Sequence, residues 1–128
     1  MNKRLHVLAV LAVDVVLVIV FCAIGRRTHD EANALVGLAT TAWPFLGGLA
    51  VGWLTNEALY RNKSVPESVF PAGVIIWLCT VLVGMILRAV SGQGTAFSFI
   101  VVATCVLAAF LLGWRAIYGV VRRRSTAA

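Results

Sequence analysis

One side chain in this sequence sits where its chemistry is costly. Asp14 lies near the middle of an apolar run that begins at Leu5 and ends near Ile24. On an insertion scale, an aspartate at bilayer depth costs about 2.5–3.5 kcal/mol. The fourteen Leu, Val, Ile and Phe residues of that run offset it at about 0.3–0.6 kcal/mol each. Insertion is therefore affordable, but such an acid is expected to face the protein interior, to be paired, or to carry a proton. Its position is about eleven residues, or ~16 Å, from the end of the run near Arg26. Equal depth in the other apolar runs falls near Thr40, Thr41, Trp43 and Pro44, near Trp77 and Thr80, and near Thr104 and Cys105. Asp14, Thr40, Thr41, Trp43, Trp77 and Thr80 are therefore the candidate midplane site, suited to a cation, a proton or a small amphipathic ligand. The alternative is a structural hydrogen-bond network that ties helices together.

A second candidate is basic. Arg26, Arg27 and Arg88 close two apolar runs at what should be one level. They suit an anion or headgroup site, although arginines in such places also snorkel to phosphates with no further role. The other reactive residues carry less. Cys22, Cys79 and Cys105 all fall inside apolar runs, without a Cys-x-x-Cys pair, and read as small apolar fillers. His6 and His29 lie at opposite ends of one run, too far apart along one helix to share a metal. There is no nucleophile with a nearby histidine, no His-Glu metal motif and no phosphate-cradling glycine loop. The expectation is no enzyme, no catalytic residue, no metal and no cofactor.

The elements that must position these residues follow from composition. The chain has 128 residues, 61% hydrophobic and only 12% charged, with a mean hydropathy of +0.95. That balance calls for lipid as solvent. Four runs of about 20 residues, near 5–24, 34–54, 69–87 and 96–118, are each long enough to span a hydrocarbon core of about 30 Å. Lys3 and Arg4 before the first run resemble a signal-peptide start, but the run is long and lacks a clean cleavage site, so it reads as a retained anchor. The expected fold is all-α: one integral membrane domain over 1–128, a four-helix transmembrane bundle.

Orientation follows from the eleven basic residues. Lys3, Arg4, Arg61, Lys63, Arg115, Arg122, Arg123 and Arg124 fall on one side; Arg26, Arg27 and Arg88 fall on the other. The positive-inside rule then puts both termini in the cytoplasm, in a cell (plasma) membrane. Trp53 and Trp114 read as an aromatic belt at the inner surface. The net charge of +6 points to anionic headgroups as partner, because the cations sit between and beyond the spans. No basic stripe interleaved with aromatics supports nucleic acid.

The two halves also resemble each other at an offset of about 61 or 62 residues. Leu49-Ala50-Val51-Gly52-Trp53 matches Phe110-Leu111-Leu112-Gly113-Trp114, and Arg26 matches Arg88. Two parallel helix-pair repeats would explain this, and so would shared apolar composition. Small residues recur at helical spacing in the second span (Gly37, Thr41, Pro44, Gly48, Gly52) and in the fourth (Cys105, Ala109, Gly113). Such faces let backbones approach closely in lipid. They place those two spans inside the bundle or at contacts with a second copy or another membrane protein. Pro44 removes one helical hydrogen bond and is expected to kink the second helix.

The residues Asp14-Val15-Val16, Ile24-Gly25-Arg26-Arg27, Thr41-Ala42-Trp43-Pro44-Phe45-Leu46, Gly52-Trp53-Leu54, Gly84-Met85-Ile86-Leu87-Arg88 and Gly113-Trp114-Arg115 together resemble the small membrane proteins of the domain of unknown function 3054 family. The resemblance runs from about Leu5 to Tyr118. It implies a multi-pass membrane protein and no particular activity. In size and layout the chain also resembles the small multidrug-resistance exporters, but their acid is a glutamate and their aromatic pattern is absent here. Two functional expectations remain. One is small-solute or cation/proton-coupled transport through Asp14. The other is a non-transporting structural or accessory subunit that assembles through its small-residue faces.

Overall fold

The computed structural model describes residues 2–25 and 34–127. Four helices account for nearly all of them: α1 Lys3–Gly25, α2 Ala34–Tyr60, α3 Val74–Val90 and α4 Phe97–Ala127. All four spans are long and apolar enough to cross a membrane, the third beginning at Val69 with the turn that leads into α3. Among the described residues there is no strand. Where water is missing, a backbone has to satisfy its own amides, and helices do so within one segment.

Each helix packs on its neighbours in chain order, and α4 returns to α1. The arrangement is an up-down ring, with both termini at one end, here the termini end. The other is the distal end. On α1, Val10, Asp14, Val18 and Cys22 form a buried stripe at a spacing of four, one face of a helix. The core between helices contains Val18, Phe21, Phe45, Leu49, Ile76, Leu107 and Leu111.

The closest pair is α2 and α3, and glycine allows it. A methyl group on Gly48 would lie 2.7 Å from the Thr80 carbonyl oxygen, and one on Gly52 would lie 2.9 Å from Ile76 Cα. The small face of α2 is thus spent inside the chain. That of α4 is not. Cys105 and Ala109 are exposed, nothing lies within 4 Å of a methyl placed on Gly113, and α4 is the least covered span.

Helix α2 continues unbroken through Pro44. Proline has no N–H to give the carbonyl four residues earlier, which belongs to Thr40. Gln93, in the connector between α3 and α4, supplies the missing donor: its Nε2 lies 3.0 Å from Thr40 O. The short Gly92-Gln93-Gly94 turn, with Gly92 at φ 82°, is therefore shaped around this repair of α2.

Between α2 and α3, the chain makes a short 3-10 turn at Arg61–Lys63 and a wider turn at Val69–Gly73 that includes Pro71. The helical run of α3 thus begins after Pro71, near the expected start of the third span. The stretch between these turns lies against the termini end of the bundle, and Pro66 within it is buried.

Candidate functional site

Asp14 is completely buried, but its neighbours are not those expected from depth alone. Both of its oxygens face Arg115, which is also buried. Arg115 Nη1 donates to Asp14 Oδ1 at 2.8 Å, and Nη2 donates to Oδ2 at 2.7 Å. Two indoles complete the set: Trp53 Nε1 donates to Oδ2 and Trp114 Nε1 to Oδ1, each at 2.9 Å. Every contact brings an N–H to an acceptor, the pattern that suits a carboxylate. With two donors per oxygen and no exposure, the carboxylate has little capacity left for a cation.

The arginine is satisfied as fully. Its Nε donates to Pro66 O at 2.9 Å, and Nη1 also donates to Leu111 O at 3.0 Å. Gly73 makes room for its stem, since a methyl there would lie 2.9 Å from Arg115 Cδ. One guanidinium thus ties α1, α4 and the α2–α3 connector together, and Trp53 adds α2. A neighbouring cluster pins the connector again: Glu67 Oε2 lies 2.9 Å from His6 Nε2 and 3.5 Å from Arg122 Nη1. Asn56 Nδ2 donates to Ser64 Oγ at 2.8 Å.

The expected midplane companions are dispersed. Thr40 Oγ1 turns back to Val36 O, and Thr80 Oγ1 to Ile76 O. Both are i−4 bonds within one helix. Trp77 Nε1 donates to Thr104 O, linking α3 to α4. Trp43 is 45% exposed. Thr41 lies at the distal end, where its carbonyl is 3.9 Å from Cys22 Sγ. The hydrogen bonds to Asp14 come instead from three residues with other expected roles: Trp53, Trp114 and Arg115.

The reason lies in side-chain direction. Helical side chains lean toward their own N-terminus. Asp14 on α1 therefore leans toward the termini end. Trp53, Trp114 and Arg115 sit on helices of the opposite sense and lean toward the membrane centre. Long side chains close the remaining gap. Trp53 and Trp114 hold matching places in the two Gly-Trp repeats, and both donate to one acid. That shared motif was the one sequence signal that pointed to them.

Of the outer basic cluster, Arg26 and Arg27 lie outside the described residues. Arg88 is half-buried and organises its own loop. Its Nε and Nη2 donate to Gly94 O at 3.0 and 2.8 Å, its Nη1 donates to Gln93 Oε1 at 3.0 Å, and its guanidinium carbon sits 4.5 Å from the centre of the Phe99 ring. It holds Gln93 in place to cap Thr40, which gives it a structural task besides any headgroup contact.

Two cavities flank the core. One, of about 910 Å³, opens at the termini end beside Trp53. The other, of about 490 Å³, lies at the distal end against Phe21, Cys22, Arg88 and Phe99. Among the described residues, no group of three or more His, Cys, Asp or Glu could hold a metal.

Fold and site together define a small multi-pass helical membrane protein. The family described as a protein of unknown function, DUF3054, matches residues 11–118, and the chain belongs to it. No curated protein and no solved structure matches the chain.

Proposed function

We propose that this chain is a non-catalytic structural or accessory protein of the cell membrane, with both termini cytoplasmic, and that Asp14 is the keystone of its fold. The observation that carries the proposal is the complete saturation of Asp14 by Arg115, Trp53 and Trp114, with the Asp14 and Arg115 side chains fully buried. A cation- or proton-handling acid needs an open acceptor or a route to water, and this one has neither. Arg115 spends its charge on Asp14, yet seven of the eleven basic residues still lie at the termini end, which supports the orientation. The small face left open on α4 suits a second copy or another membrane protein.

One observation favours a second reading, small-solute or proton-coupled transport. The two cavities lie at opposite ends, with the buried core that includes Val18, Phe45, Leu49 and Leu107 among the residues between the helices. Asp14 lies one turn of α1 from Val18, toward the termini end. Opening would require the ion pair to part.

A charge-free core separates the two readings. Replacing a buried ion pair by apolar residues is often neutral or stabilising. If Asp14 is a keystone, the double variant Asp14→Leu with Arg115→Met folds, and it restores whatever growth phenotype or partner co-purification is lost on deletion of the protein. If Asp14 takes part in transport, the double variant folds but does not restore that phenotype. The latter outcome would overturn the structural proposal.

A further inference from the structure

We infer that the termini-end groove binds a phospholipid with an anionic headgroup, its phosphate held at the rim by Lys3, Arg4 and Arg61. The groove lies between the first turns of α1 and the last turns of α2, and its volume of about 910 Å³ falls within the usual size of ligand sites, about 300–1,000 Å³. Its lining is sorted along the helix axes. Val7, Leu8, Trp53 and Leu54 are apolar and lie one to two turns in from the helix ends, where Lys3, Arg4 and Arg61 sit, with Glu57 the one acid in the lining. The rim is thus net positive, and the wall beneath it is greasy.

Two further observations bear on this groove. Among the described residues, the side chains of Lys3, Arg4 and Arg61 have no carboxylate partner, as also holds for Lys63, Arg88 and Arg124, but of these six it is Lys3, Arg4 and Arg61 that line the groove together. Arg61 also adopts φ 40°, a left-handed conformation that a residue with a β-carbon disfavours. Asparagine or glycine would serve a bare turn better. Strain at an exposed cation that lines a cavity suggests a role for the charge.

The apolar wall favours a lipid over a soluble anion. Leu8 is 58% exposed and Leu54 is 71% exposed, so the apolar part is continuous with the surface that acyl chains cover. From Leu8 to Lys3 is five residues of helix, ~8 Å along the axis, enough for a phosphate, its glycerol and the top of a chain. Trp53 lines this groove and donates to Asp14, so an occupant there presses on the wall of the buried ion pair and should stabilise the bundle. This inference stands apart from the keystone proposal, because it concerns the outer face of Trp53 and none of the variants below alters Asp14 or Arg115.

The test uses the full chain in mild detergent, with phosphatidylglycerol, phosphatidylethanolamine or inorganic phosphate added. Bound lipid is read by native mass spectrometry and stabilisation by the melting temperature. The expected result is at least tenfold greater retention of phosphatidylglycerol than of phosphatidylethanolamine, with no stabilisation by phosphate. The triple variant Lys3→Gln, Arg4→Gln, Arg61→Gln should lose that preference. A triple variant with the same loss of charge outside the groove, Lys63→Gln, Arg123→Gln, Arg124→Gln, should keep it. Arg61→Gly should melt higher than the native chain and still bind phosphatidylglycerol less well. Leu8→Trp, which fills the apolar part, should lower retention of both lipids. Equal retention of the two lipids by the native chain would overturn the inference, as would equal losses in both triple variants. Stabilisation by inorganic phosphate matching that by phosphatidylglycerol would overturn the choice of a lipid.

Discussion

Two arginines close opposite ends of this bundle by opposite means. Arg115 is wholly buried and gives its charge to Asp14, with two indoles and two carbonyls filling the remaining positions. Arg88 is half-buried and, among the described residues, has no carboxylate partner; carbonyl and amide oxygens and the face of Phe99 surround it. The difference teaches where a charge needs a countercharge. Near a surface, water and neutral acceptors suffice. In a dry interior, an unpaired ion costs several kcal/mol, so Asp14 and Arg115 enter the bundle together.

The comparison is broken most severely by removing one partner at the buried end. Arg115→Met leaves Asp14 with indole donors alone and should destabilise the fold by about 3–5 kcal/mol, read as the loss of a cooperative unfolding transition in detergent. An effect as small as that of Arg88→Met would show that Asp14 is not held as described.

Next come the indoles. Trp114→Phe removes one donor from a buried carboxylate and should cost about 1–3 kcal/mol, and Trp53→Phe should cost a similar amount. A second test at this size compares the two small faces. Gly48→Ala forces a methyl against the Thr80 backbone, an overpacking that costs about 1–3 kcal/mol. Gly113→Ala meets nothing within 4 Å and should leave the melting temperature of the isolated chain unchanged. If it instead weakens an oligomer seen by crosslinking, the α4 face is a contact surface.

The smallest expected effect is at the distal end. Gln93→Ala leaves Thr40 O without the donor that Pro44 denies it, at a cost of about 1 kcal/mol. Replacing Pro44 with Ala in the same chain restores the helical N–H and should recover that loss. If Gln93→Ala is harmless while Pro44 is present, the amide is not serving as the missing donor.

Much of this was legible beforehand. The four runs of apolar residues required spanning helices, because length and hydropathy leave a lipid-embedded backbone no other way to satisfy its amides. The cost of a central aspartate called for an acid that faces the interior, is paired or carries a proton, and the glycines of α2 called for a close contact inside the bundle or with a second copy or another membrane protein. The identity of the partner was not legible. Arg115, inside the fourth apolar run, was counted with the basic residues of the cytoplasmic side, and Trp53 and Trp114 as a surface belt, since each lies near a span end in the linear count.

What the sequence by itself determined is a set of four helices long and apolar enough to cross a membrane, and an Asp14 that had to face the interior, be paired or carry a proton. What only the tertiary structure decided is which residues pair with Asp14, and which small face is covered. Hydropathy depends on composition along one helix and survives in one dimension. Pairing depends on the lean of side chains on antiparallel helices, and on how far an arginine and two indoles can reach, which exist only once the helices are set side by side.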